Sequence, residues 1–146
     1  MQERDPHAIE TARHILTVSR TIAVVGLSRH PHKSAHSVPA TLQAAGFRVI
    51  PVNPYAEAVL GEKSYPSLTD ITESVDVVEV FRPSAEAPGI ARAAVAIGAK
   101  ALWLQSGLLS QEARAIAEQA GLSYVEDRCM AVDRAVFGIT KKSKSS

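Results

Sequence analysis

The chain has 146 residues, enough for one domain with a real core and too few for two comfortable ones. Hydrophobic residues make up 46% and charged residues 21%, and the formal net charge is +1, so no global field favours nucleic acid or an anionic membrane. Cys129 is the only cysteine, which excludes an intrachain disulfide or a cysteine-built zinc cluster. No apolar run approaches the ~18 residues of a membrane span, and the polar start MQERDPHAIE is unlike a signal peptide, so a cytoplasmic protein is expected.

Asp5-Pro6 opens a helix by a cap and a first-turn proline, with Ile9, Ala12 and Leu16 along one face. TIAVVG (21–26) follows as a first strand, 36–45 as a short helix stopped by Gly46, and FRVIPV (47–52) as a second strand. Residues 54–74 read as a loop and a short helix rather than a full crossover. VDVVEVF (75–81) gives a third strand, and Ser84 opens SAEAPGIARAAVAIGA, where Pro88 is tolerable near the start. KALWLQ (100–105) is a fourth strand. Ser110 then caps a helix in which Ala113, Ile116, Ala117 and Ala120 share a face and Gly121 supplies the stop. SYVEDR (123–128) is the fifth strand. The tail KKSKSS (141–146) reads as a disordered basic end, leaving residues 1–140 as the domain.

Most of these strands are nearly continuous apolar runs, which suits strands covered on both faces. Repeated strand–helix alternation predicts an α/β fold, a doubly wound parallel sheet of about five strands in the order 3-2-1-4-5. Ligands of such a sheet sit outside the carboxyl ends of the strands, beside strand 1.

The loops after the strands are therefore the candidates. After the first, Gly26 permits a tight turn, and Ser28, Lys33 and Ser34 offer donors near the positive end of the next helix. The dinucleotide pattern G-x-G-x-x-G fails at Ser28 and Pro31, and the P-loop pattern fails because Lys33 comes one position late, after His32. A structural turn with a solvated basic rim is the alternative. His30, His32 and His36 have no further ligand spaced to complete a metal site and read as surface or phosphate-proximal groups. After the second strand, Asn53-Pro54 stands where an NAD-binding domain would place an acid, and the pair reads as a pocket border or a stiff strand exit. After the third, Phe81 can stack a ring and Arg82 reach a phosphate; equally, Phe81 can be core and Arg82 paired with an acid. Gln105 and Gly107 follow the fourth strand with polar groups to offer, while Trp103 reads as core. After the fifth, Cys129 is either a reactive thiol or a small buried residue, and Asp127, Arg128 and Asp133 suit an ion-pair network.

Six stretches, VVGLSRHPHKSAHSV, GFRVIPVNP, GEKSYPSL, VDVVEVFRPSAEAP, IGAKALWLQSGL and AGLSYVEDRC, lie in family order across roughly residues 15–135. With them the chain resembles the small stand-alone CoA-binding proteins and the N-terminal CoA-binding domain of the succinyl-CoA synthetase α subunit. The resemblance implies a Rossmann-like fold holding coenzyme A across the carboxyl edge of the sheet. It implies that Gly26, Leu27, Ser28, Lys33 and Ser34 meet the phosphates, and that Asn53 and Pro54 border the nucleotide end. Phe81 and Arg82 would line the groove, and Gln105 and Gly107 approach the pantetheine arm. The synthetase also uses a phosphorylated histidine in a second domain, whereas the five histidines here (His7, His14, His30, His32, His36) stop at residue 36. The expected function is binding of CoA or acyl-CoA, without evident catalysis and without nucleic acid or membrane partners. Two alternatives stand beside it: an NAD(P)-binding oxidoreductase, and the CoA-binding subunit of a multi-chain acyl-CoA synthetase.

Overall fold

The computed structural model describes residues 5–141. In chain order the elements are α1 (Pro6–Val18), β1 (Thr21–Val25), α2 (Ser34–Ala44), β2 (Arg48–Val52), β3 (Ala58–Val59), β4 (Glu62–Lys63) and β5 (Val77–Val80). They continue with α3 (Ala87–Ala96), β6 (Ala101–Leu104), α4 (Gln111–Gln119), β7 (Ser123–Val125) and α5 (Met130–Phe137). Asp5 accepts the His7 N–H to cap α1, and the Ser110 hydroxyl accepts the Ala113 N–H to cap α4, as the spacing predicts. Among the described residues no helix is long and apolar enough to cross a membrane.

β1, β2, β5, β6 and β7 form one parallel sheet with a core on each face. Ala23, Ile50, Val78, Leu102 and Tyr124 turn to α3 and α4, while Ile22, Val49, Val77, Trp103 and Val125 turn to α1, α2 and α5. The Rossmann-like, doubly wound, single-domain architecture is the one expected from the alternation of strands and helices.

The strand order differs from that expectation. The observed order is β2-β1-β5-β6-β7, so the third expected strand crosses to the far side of β1 instead of pairing outside β2. Pro51 supplies the physical reason. Backbone groups of Arg48 and Val52 bond to the residues that flank β1, through Arg48 N to the Arg20 carbonyl (2.8 Å) and Gly26 N to the Val52 carbonyl (3.0 Å), so the backbone of residue 51 faces outward. Proline has no N–H to offer a further strand there, which confines it to an edge. That edge is closed by one bridge: Tyr65 N donates to the Pro51 carbonyl (3.0 Å) and Asn53 N to the Tyr65 carbonyl (2.9 Å).

Other boundaries also move. The stretch 54–74 holds the β3–β4 hairpin and a 3-10 turn at Leu68–Asp70. Ser84 begins a 3-10 turn ahead of α3, and its hydroxyl accepts the Leu109 N–H (3.0 Å) rather than capping the helix. Lys141, read as the first residue of a disordered tail, is anchored: its N–H donates to the Ala45 carbonyl (2.8 Å) and its Nζ to the Thr17 carbonyl (2.7 Å). The rest of that tail, 142–146, lies outside the described residues.

Glu79 stands in the central strand, beside Val24 of β1 and Trp103 of β6, with no solvent exposure and no hydrogen-bond partner for either carboxylate oxygen. Desolvation pushes its pKa up from 4.5 to about 8, so the native state holds a proton that the unfolded chain gives up. Between these two pH values the folded protein binds more protons than the unfolded one, and stability falls as pH rises, by about 1.4 kcal/mol per pH unit at its steepest. Urea unfolding across pH 4.5 to 8 checks this: wild-type stability declines, whereas Glu79→Gln loses most of the slope. Equal slopes in both proteins would contradict the assignment.

Candidate functional site

The carboxyl ends of β1, β2 and β5 open onto a cleft of about 630 Å³. Val25, Gly26, Ser28, Lys33 and Ala35 form the side after β1; Val52, Asn53, Pro54 and Tyr55 the side after β2; and Phe81 and Arg82 the side after β5. A second cleft of about 640 Å³ shares Val25, Val52, Pro66, Glu86 and Ile90 with it and continues past Leu68, Pro88 and Ala93 to Arg92 and Glu112. Together they make an extended groove across the edge of the sheet. The groove lies at the switch point, where the chain leaves β1 for β2 on one side and β5 feeds β6 on the other.

Gly26 makes the turn possible. Its φ is +90°, and a Cβ added there would stand 3.0 Å from Arg82 Cδ and 3.2 Å from the Phe81 carbonyl oxygen. The loop that follows is braced from α2. Pro39, inside α2, has no N–H for the Ala35 carbonyl, and that carbonyl instead accepts the Ser28 N–H at 2.9 Å. The Ser28 hydroxyl accepts the His30 N–H (3.0 Å), and the Ser28 carbonyl accepts from His36 Nδ1 (2.7 Å), which places the ring proton on that nitrogen. Arg29, His30, His32 and Lys33 remain exposed on this loop.

Asn53 ties the loop after β1 to the loop after β2. Its Nδ2 donates to the Leu27 carbonyl (3.0 Å), and its Oδ1 accepts the Tyr55 N–H (2.8 Å). Arg29 Nη1 adds a bond to the Tyr55 carbonyl (3.2 Å). Across the cleft, Arg82 forms a two-point pair with Glu86, Nε to Oε1 at 3.1 Å and Nη2 to Oε2 at 2.8 Å. The hydrogen-bonded Glu86 carboxylate raises the Arg82 pKa, and Arg82 holds the Glu86 carboxyl below its ordinary range. Both side chains are half-exposed, so an incoming anion can exchange for Glu86 at little cost.

Of the residues singled out from sequence, Gly26, Ser28, Lys33, Asn53, Pro54, Phe81 and Arg82 line this one cleft. Ser34 is exposed beside Lys33 at the first position of α2, where helical amides lack intrahelical partners. Leu27 is fully buried in the core, leaving its carbonyl to hold Asn53. Gln105 and Gly107 lie further along the edge, after β6. Gln105 is 6% exposed and its Oε1 accepts the Met130 N–H (3.3 Å); the Gly107 N–H donates to Asp127 Oδ1 (2.7 Å). Arg128 and Asp133 form a nearly buried ion pair at 2.7 and 2.9 Å, and Trp103 is core, with its Nε1 on the Arg128 carbonyl (2.9 Å). Cys129 is half-buried at the start of α5. Among the described residues no three histidine, cysteine or carboxylate side chains gather as a metal site.

Sequence reasoning did not assign Tyr55, Pro66, Glu86 or Ile90, all of which line the cleft. The i, i+4 spacing of Arg82 and Glu86 is a readable signal. Pro66 comes from a segment without periodicity, where only the folded chain shows what meets what.

A family model described as a CoA binding domain matches residues 20–135. The uncharacterized protein YneT of Bacillus subtilis is 40% identical over 124 residues, which are 85% of this chain and 92% of that protein. The solved structure of a hypothetical protein from Pyrococcus horikoshii superposes with a TM-score of 0.88 at 37% identity, covering 95% of this chain and 100% of the other. The ADP-forming acetate–CoA ligase II of Archaeoglobus fulgidus is 32% identical over 101 residues, 68% of this chain but 15% of the ligase. With four-fifths of its length matched and its loops gathered on one cleft, the chain belongs to the CoA-binding domain family.

Proposed function

We propose that this chain binds coenzyme A or an acyl-CoA in the groove at the ends of β1, β2 and β5 and supplies no catalytic step of its own. The observation that carries the reading is convergence: residues from three loops, Gly26 to Lys33, Asn53 to Tyr55 and Phe81 to Arg82, line a single cleft. Lys33, Arg82 and the first turn of α2 favour phosphates, and the continuation over Leu68, Pro88 and Ala93 gives apolar cover to an elongated ligand.

CoA carries about four negative charges, spread between its diphosphate and its 3′-phosphate. Separate cations around a single-glycine turn suit such a ligand better than a tight backbone cradle, which suits a compact triphosphate. Asn53 stands where a ribose-binding acid would serve NAD, and its amide is already committed to Leu27 and Tyr55. A second arrangement draws on the ligase match: the same segment is a small part of a long CoA ligase, so separate chains can supply the remaining parts. Co-purification with a nucleotide-binding subunit distinguishes it from a free-standing binder.

Calorimetry on the purified, ligand-stripped chain tests the reading. CoA is expected to bind more tightly than about 1 mM and NAD⁺ to give no comparable heat. No heat with CoA at that concentration, or stronger thermal protection by NAD(P), would overturn it. Lys33→Ala and Arg82→Ala are each expected to weaken CoA binding about tenfold at low salt, a gap that narrows as salt rises. A salt-independent loss would point to damaged folding instead of lost phosphate contacts.

A further inference from the structure

We propose that Tyr55 is the platform on which the adenine ring of the ligand stacks. The inference rests on the CoA reading and names the part of the ligand that one side chain takes. Large apolar side chains left exposed among the described residues are Val18, Tyr55, Leu109, Val132 and Val136. Tyr55 is the most exposed of them, at 82%, and it alone lines the cleft. The backbone beneath it is fixed: Pro54 precedes it, its N–H is held by Asn53 Oδ1 at 2.8 Å, and its carbonyl is held by Arg29 Nη1 at 3.2 Å. The chain therefore orders this residue at the rim while leaving its ring in water. A ring kept only for stability would be packed, since burial is what makes an aromatic stabilising.

Phe81 does not serve the same purpose, because it is half-buried and packed against the core on the α2 face of the sheet. It is a wall, and Tyr55 is a free surface. Cations share the cleft with that surface. Arg29 reaches the Tyr55 backbone, and Lys33 and Arg82 line the same cleft. An aromatic face open beside phosphate-binding cations is the arrangement a nucleotide needs, with the base on the ring and the charges on the basic groups.

The test compares CoA with 4′-phosphopantetheine, which has the arm and a phosphate but no adenine. Tyr55→Ala is expected to weaken CoA binding about tenfold and to leave 4′-phosphopantetheine unchanged, while Tyr55→Phe retains both. Tyr55→Trp is expected to keep CoA affinity and to add an indole emission quenched by CoA and not by 4′-phosphopantetheine. Full CoA affinity in Tyr55→Ala, or equal losses for both ligands, overturns the stacking role while leaving the CoA reading in place. Wild-type protein that binds neither ligand overturns that reading, and the stacking role with it.

Discussion

The groove depends on one side chain amide. Asn53 donates to the Leu27 carbonyl and accepts the Tyr55 N–H, so the exits of β1 and β2 cannot move independently. An aspartate at this position would lose the donor and set a carboxylate against a carbonyl; a leucine would lose both bonds. The demand for one donor and one acceptor explains why an amide, and not the acid of a dinucleotide site, ends β2. The Ser28–Ala35 bond extends the same constraint into α2, since it is available because Pro39 leaves a helical carbonyl without its usual donor. A proline that looks like a defect in the helix thus helps to hold the loop after β1.

Beneath the loops the sheet is rigid in a way that matters for them. Both faces are packed, with alternate residues of each strand serving opposite cores, and the three strands that bear the site are neighbours. Glu79 interrupts this apolar interior two residues before Phe81, in the strand that delivers Arg82. Its burial without a partner lowers stability at neutral pH, and the packing around β5 compensates. The pair formed by Arg82 and Glu86 is of another kind. It is half-exposed, weak in itself, and keeps the guanidinium ordered at the mouth of the cleft.

Strand positions, the α/β class and half of the residues lining the cleft at β1, β2 and β5 were legible because they rest on local signals: apolar runs, caps, and polar residues just after strands. Strand order was not, although Pro51 carried the clue. A proline inside a buried run marks an edge strand, and β2 cannot be an edge in the order 3-2-1-4-5. Leu27, Gln105 and Gly107 show another limit. Following a strand brings a residue to the right rim, but whether its side chain meets the cleft depends on packing, which buries Leu27 and commits Gln105 to the start of α5. Tyr55 was hidden by the opposite problem: its meaning lies in its exposure, which sequence does not display.

The most direct measurement is a crystal structure of the chain grown with saturating CoA. The account predicts one CoA lying along the β1–β2–β5 edge, its phosphates within hydrogen-bond reach of Lys33 and of an Arg82 released from Glu86. CoA bound elsewhere on the surface, with Arg82 still paired to Glu86 and the groove empty, would contradict it.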